Sequence, residues 1–204
     1  MTIAPTRIAP DGNDLDRLPT RFWTRAEYYA AAEAGIFRLS ERLELLEGEI
    51  VSMSPKGVRH VNATGNTIEK LRRGYADVDI VIRKEDPVVL DDATEPEPDV
   101  VVARGKRADY ADHHPRADEV LLIIEVADST LLADRVQKGR IYARAGIPEY
   151  WLLNLLERRI EIFREPRLVN GVPAYRIAFT LRADDFVAAL FASDCLFQVG
   201  DLLA

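Results

Sequence analysis

Two acidic residues stand where acids are costly. Asp99 opens the apolar run Val100-Val101-Val102, directly after Glu95-Pro96-Glu97-Pro98, and Glu125 lies near the end of Leu121-Leu122-Ile123-Ile124. A carboxylate set into an inner strand needs a donor, an opposite charge or a metal ion. Two of them on neighbouring strands repel, and a divalent cation between them removes the repulsion. Hard ions such as Mg²⁺ take carboxylate and carbonyl oxygens plus water. Taken singly, each residue also reads as an ordinary acid: Asp99 at a solvent-facing strand entry, Glu125 at a strand end beside an arginine.

The segment after Glu125 supplies the opposite charge. A helix is predicted from about Leu132 to Ala145, closed by Gly146 and by Pro148 two residues later. Asp134, Lys138 and Tyr142 follow one another at i, i+4 and share one stripe of that helix. The strand Glu149 to Leu155 comes at once, so strand, helix and strand make a βαβ crossover whose strands lie parallel. Its helix covers the sheet that holds Glu125, and Lys138 can return to the two acids. The plain alternative is a solvated face with an Asp134–Lys138 pair of about 0.3–0.5 kcal/mol.

Upstream, Thr24 and Glu27 form a capping-box pattern before a short helix that Gly35 ends. Leu43 to Met53 reads as a hairpin turning at Glu47-Gly48. Val58 to Tyr75 reads as a second, longer helix, with Val61, Ile68 and Leu71 at helical intervals. Strands are expected over 78–82, 87–90, 100–102 and 120–126, with a polar loop from Arg104 to Glu119. Further strands are expected at 160–164, 172–181 and 186–191, and a short strand and turn at 197–203. Tyr150 and Trp151 fall inside a strand and belong to the core or a subunit contact. His113 and His114 have no further ligands beside them for zinc.

The chain of 204 residues is 48% hydrophobic and 30% charged, enough for a packed core and unlike a disordered or collagenous protein. A flexible leader over 1–19 followed by a single α/β domain over 20–204 is expected. The balance of 27 Lys+Arg against 34 Asp+Glu gives a net charge of −7, which disfavours coating nucleic acid through bulk charge. Local charge differs: Arg135, Lys138, Arg140 and Arg144 are basic, and no acid occurs from Arg135 through Pro148. Cys195 is the only cysteine, which excludes an intramolecular disulfide and fits a reducing cytoplasm. The longest apolar run, Phe186 to Ala192, is too short to span a bilayer, so no membrane partner is expected.

Pro98-Asp99 followed by Glu125-Val126-Ala127 resembles the signature of the PD-(D/E)XK nuclease superfamily. More narrowly, the chain resembles the Uma-two family of bacterial restriction-type endonucleases. The resemblance runs through Arg42 to Ile50, Met53-Ser54-Pro55, His60, Glu95 to Asp99, Ile124 to Thr130, Asp134 with Lys138, and Tyr142 to Trp151. It covers roughly residues 20–200 in order. The superfamily places its lysine two residues after the acid, where this chain has Ala127; the narrower family carries it on the next helix, at the position of Lys138.

The resemblance implies a restriction-endonuclease-like core of α/β (α+β) class: a mixed central β-sheet flanked by helices, with an N-terminal helix and hairpin and extra C-terminal strands. It implies metal-dependent hydrolysis of DNA phosphodiesters. Asp99, Glu125 and the backbone carbonyl of Val126 would hold Mg²⁺ or Mn²⁺, Lys138 would orient water or phosphate, and Glu44 matches an additional acid from the N-terminal part. His60, Tyr142, Asp134 and Arg135 are candidates for substrate or supporting contacts. His60 also reads as a capping or surface histidine, Tyr142 as sheet packing, and Asp134 as the residue that orients Lys138 or caps the helix. A homodimer is expected, because cutting both strands calls for two sites. The alternative is a nuclease-fold protein that binds DNA or regulates without useful turnover.

Overall fold

The computed structural model describes residues 21–38 and 40–204; the leader expected over 1–19 lies outside them. The described residues fall into two compact units, one reaching to Met53 together with Asp91–Glu95, the other formed by Ser54–Leu90 and Pro96–Ala204.

In the smaller unit, helix α1 (Arg25–Glu33) starts from the anticipated capping box. The Thr24 hydroxyl accepts from the Glu27 amide at 3.3 Å, and the Thr24 amide donates to the Glu27 carboxylate at 3.0 Å. Strands β1 (Leu43–Leu46) and β2 (Glu49–Ser52) form the hairpin. Its two turn residues, Glu47 and Gly48, both have positive φ, at 51° and 83°, the handedness that matches strand twist. Glu95 ties the unit together: its carboxylate accepts from Arg25 and from the Tyr29 hydroxyl, and its amide donates to Leu45 O at 2.7 Å.

The larger unit is built on a six-stranded sheet whose strands lie side by side in chain order: β3 (Ile80–Lys84), β4 (Val100–Arg104), β5 (Val120–Ala127), β6 (Glu149–Asn154), β7 (Arg159–Val169) and β8 (Val172–Arg182). The β5–β6 pair is parallel and every other pair is antiparallel. The parallel pair is joined by the helical crossover, as the strand, helix, strand order requires. One sheet face carries Val100, Val102, Leu122, Ile124, Trp151 and Leu153. It packs against helix α2 (Val58–Gly74) through Ile68 and Leu71 and against the C-terminal helix α4 (Val199–Leu202). The alternate residues, among them Ile123, Glu125, Tyr150 and Leu152, point to the other face. There helix α3 (Gly139–Arg144) lies, with Tyr142 edge-on to Tyr150. All eight residues of β5 are buried, the mark of a strand covered on both faces. Tyr150 and Trp151 are core residues with no exposed surface.

Three elements differ from the sequence pattern. Residues 87–90 do not join the sheet; Val89 makes a single parallel bridge to Arg116, because the chain departs after Lys84 and has no strand alongside. The crossover helix is not uniform: Ala133–Lys138 form one π-helical turn that runs into α3. The run 186–191 yields only β9 (Phe186–Val187), paired with β10 (Phe197–Gln198), and a 3₁₀ turn. Val187 and Ala189 enter the core cluster, while Phe186 and Leu190 stay exposed.

Glu149 at the start of β6 is fully buried and holds this last segment. Its carboxylate accepts from Trp151 Nε1 at 2.8 Å, Arg164 Nε at 2.8 Å and the Leu190 amide at 2.7 Å. Replacing it by alanine leaves the buried Trp151 indole N–H, the Leu190 amide and the partly buried Arg164 guanidinium without this acceptor. The Glu149→Ala variant should lose about 3–5 kcal/mol of unfolding free energy, read from the shift in urea midpoint at unchanged slope.

Candidate active site

The antiparallel register sets the centre of the site. Val100 pairs with Ile124, so Asp99 stands across from Glu125 one step further along. The two acids interlock through main chain: the Asp99 amide donates to Glu125 Oε2 at 3.3 Å, and the Val126 amide donates to Asp99 Oδ2 at 2.8 Å. Asp99 and Glu125 are both buried, 5% and 4% exposed. Such acids persist only with nearby donors or cations.

Each acid has its own lysine. Lys138 Nζ donates to Glu125 Oε1 at 3.0 Å, and the Tyr142 hydroxyl donates to the same oxygen at 2.6 Å. Lys138 is the last residue of the π turn and Tyr142 lies one α-helical turn on, so one continuous backbone delivers both donors. Lys56, in the loop before α2, donates from Nζ to Asp99 Oδ1 at 2.8 Å, and His60 Nε2, in the first turn of α2, lies 2.9 Å from that oxygen. Lys56 also bridges to Glu85 Oε2 at 3.1 Å.

These surroundings split the two acids electrostatically. Burial pushes the Asp99 carboxyl up, but the hydrogen bond from His60 and the charge of Lys56 outweigh it and hold the group below the usual carboxylate range. Glu125 moves the other way: burial raises it, Lys138 opposes, and the nearby Asp99 and Asp134 charges add to the rise. Asp99 is therefore the firm anion of the pair.

Other residues singled out by sequence take different places. Asp134 is buried, but its carboxylate accepts from the Thr130 hydroxyl. The π turn puts the Asp134 carbonyl under the Gly139 amide, five residues on. Arg135 forks onto Glu161 of β7, with Nε 2.6 Å from Oε2, and clasps the π turn to the sheet. Glu44 is buried on β1, in the smaller unit. Lys56 and Glu85 were not apparent from spacing. The one hint at Lys56 is its place beside Ser54-Pro55 and just ahead of Gly57, which opens α2, and nothing local says that its ammonium ends on a strand forty-three residues away.

Among the described residues, no group of three or more His, Cys, Asp and Glu side chains is arranged to hold a metal ion. No helix among them is long and apolar enough to cross a membrane.

The sequence profile of Uma2, described as "putative restriction endonuclease", matches residues 25–191. The chain belongs to the Uma2 family. A crystal structure described as that of a putative nuclease belonging to DUF820, from Anabaena variabilis ATCC 29413, superposes with a TM-score of 0.65 at 15% identity, over 88% of this chain and 97% of that one. The Uma2 chain thus shares the fold of that protein, built on a mixed central sheet flanked by helices. The type IIG restriction endonuclease BpuSI aligns over 59% of this chain and 13% of its own, at 20% identity and a TM-score of 0.36. Comparison with curated proteins returns no match.

The Arg135–Glu161 clasp has a pH signature. Burial pushes the Glu161 carboxyl up, but Arg135 and then Asn154 and Arg159 hold it below its ordinary value of 4.5. A carboxyl lowered on folding stabilises the protein above its unfolded value and loses that contribution as pH falls through the folded one. Glu161→Gln should therefore be less stable than wild type at neutral pH. The difference in thermal midpoint should shrink as pH drops below about 4, as scanning calorimetry across the acid range would show.

Proposed function

We propose that this Uma2 protein is a metal-dependent endonuclease that hydrolyses DNA phosphodiester bonds at the Asp99, Glu125 and Lys138 site. The observation that carries the reading is the convergence of two buried carboxylates on adjacent strands with the tip of Lys138, 3.0 Å from Glu125. A group that acts on a reacting phosphate or water must come within hydrogen-bond or one-water reach of it.

The donor chemistry fits a hard cation. Asp99 and Glu125 offer anionic oxygens at neighbouring positions, and the Val126 carbonyl offers a neutral one. Mg²⁺ and Mn²⁺ accept such oxygens and fill the remaining positions with water, so three side-chain ligands are not required. When bound, the cation supplies Lewis acidity to a phosphate oxygen and makes water a better nucleophile at neutral pH. The chain's own residues do the rest. Tyr142 fixes the orientation of the Glu125 carboxylate, and the Val126 amide fixes that of Asp99. Lys138, released from Glu125, places its ammonium against a phosphate oxygen or the attacking water. Glu44 is retained as a further acid and His60 as a neighbour that steadies Asp99.

DNA is the substrate class in this reading, the cytoplasm the compartment, and a homodimer the form that cuts both strands. Strand β8 ends the six-stranded sheet and offers an edge for pairing. A non-catalytic DNA-binding role has one observation in its favour: both carboxylates already hold lysines, so the charges compensate without a metal.

Purified protein incubated with plasmid and with single-stranded DNA should cut in Mg²⁺ or Mn²⁺ and not in chelator. Asp99→Ala and Lys138→Ala should each lower the rate by roughly 10²-fold or more, the scale of removing one group that stabilises transition-state charge. Binding of DNA by the Asp99→Ala variant should weaken steeply with added salt. Uncut DNA in wild type across both metals and a range of salts would overturn the enzyme and leave the binding role.

A further inference from the structure

Lys56 is bound on two sides by acids from different elements. Its ammonium lies 2.8 Å from Asp99 Oδ1 and 3.1 Å from Glu85 Oε2, and its side chain is only 13% exposed. Glu85 meets Lys56 through Oε2 and Lys84 through Oε1, at 3.3 Å; its amide donates to Asp99 O at 3.2 Å, and its backbone sits at φ 51°, a left-handed conformation uncommon for residues other than glycine. The Glu85 carboxylate, 25% exposed, is partly open to water and Asp99 is not, so the two seats differ in their cost of losing the ammonium.

We propose that Lys56 is a positioning residue that serves as the resident counter-cation of Asp99 and shifts its weight onto Glu85 when a divalent cation takes the Asp99 carboxylate. This rests on the metal reading of the site. Asp99 and Glu125 are too buried to remain uncompensated, and the ammonium of Lys56 satisfies Asp99 until a stronger cation arrives. A lysine with no other acid nearby would then be left buried and unpaired, opposing metal entry. Glu85 removes that obstacle, since a small rotation of the long, flexible side chain keeps the ammonium paired. His60 and the Val126 amide stay on Asp99 throughout and hold its orientation.

The exchange makes opposite predictions for its two partners. Mn²⁺ is titrated against full-length protein and the apparent affinity is read from the rise in thermal midpoint, with Asp99→Asn as the control that removes the site. Lys56→Gln removes the competitor and should tighten Mn²⁺ binding by roughly tenfold, the scale of one unit charge deleted close to the ion. Glu85→Gln removes the alternative seat and should weaken it by a similar factor. In the Lys56→Gln background, Glu85→Gln should have little further effect, because Glu85 acts through Lys56. Tightening absent in Lys56→Gln, weakening absent in Glu85→Gln, or a Glu85 effect that persists in the double variant would each overturn the exchange. Should Lys56→Gln fail to fold, the direction of the Glu85→Gln effect decides. A wild-type protein whose midpoint does not respond to Mn²⁺ would instead overturn the metal reading itself, and the exchange with it.

Discussion

Two carboxylates cannot stand side by side in the middle of a covered sheet unless something pays for their desolvation. Asp99 and Glu125 do so because the antiparallel register of β4 and β5 leaves them opposite each other. Much of the larger unit answers that one constraint. Each acid takes a main-chain amide from the other's strand, and each is met by an ammonium and a second donor from a helical segment. An interior pair of this kind adds little to stability compared with apolar packing. Its presence in an otherwise apolar strand marks a candidate site.

The donors come from opposite sides of the sheet. The loop and first turn of α2 bring Lys56 and His60 to Asp99, while the crossover brings Lys138 and Tyr142 to Glu125. The π turn matters here. It carries Asp134, whose carboxylate accepts from the Thr130 hydroxyl, Arg135, which forks onto Glu161, and Lys138, which reaches Glu125. The Arg135 clasp then fixes the turn on β7. Lys138 thus brings its ammonium to Glu125 from the helical crossover rather than from β5 itself.

Charge tells the same story at two scales. The net charge of −7 argues against a protein that coats nucleic acid, yet the acids nearest the site are either matched by lysines or engaged elsewhere. Glu161 of the same sheet serves the π turn. Local fields, not totals, decide what a phosphate meets.

The sequence by itself determined which segments become strands and helices where their pattern was strong. The capping box at Thr24, the Glu47-Gly48 turn, the long amphipathic α2, the buried run of β5 and the parallel β5–β6 pair all follow from local chemistry and from the short links of a crossover. It also marked Asp99, Glu125 and Lys138, because acids in apolar strands and a basic helix beside them stand out without any knowledge of partners. Where the pattern was weak, apolar runs at 87–90 and 186–191 were indistinguishable from strands, since burial and pairing demand the same residues. Only the tertiary structure decided that 87–90 contributes a single bridge and 186–191 only the short β9, that the crossover contains a π turn, and that Lys56 belongs to Asp99 and Glu85. The reason is one of range: hydrophobic period and turn chemistry act over a few residues, whereas the end point of a long cationic side chain depends on elements brought together from forty-three positions away.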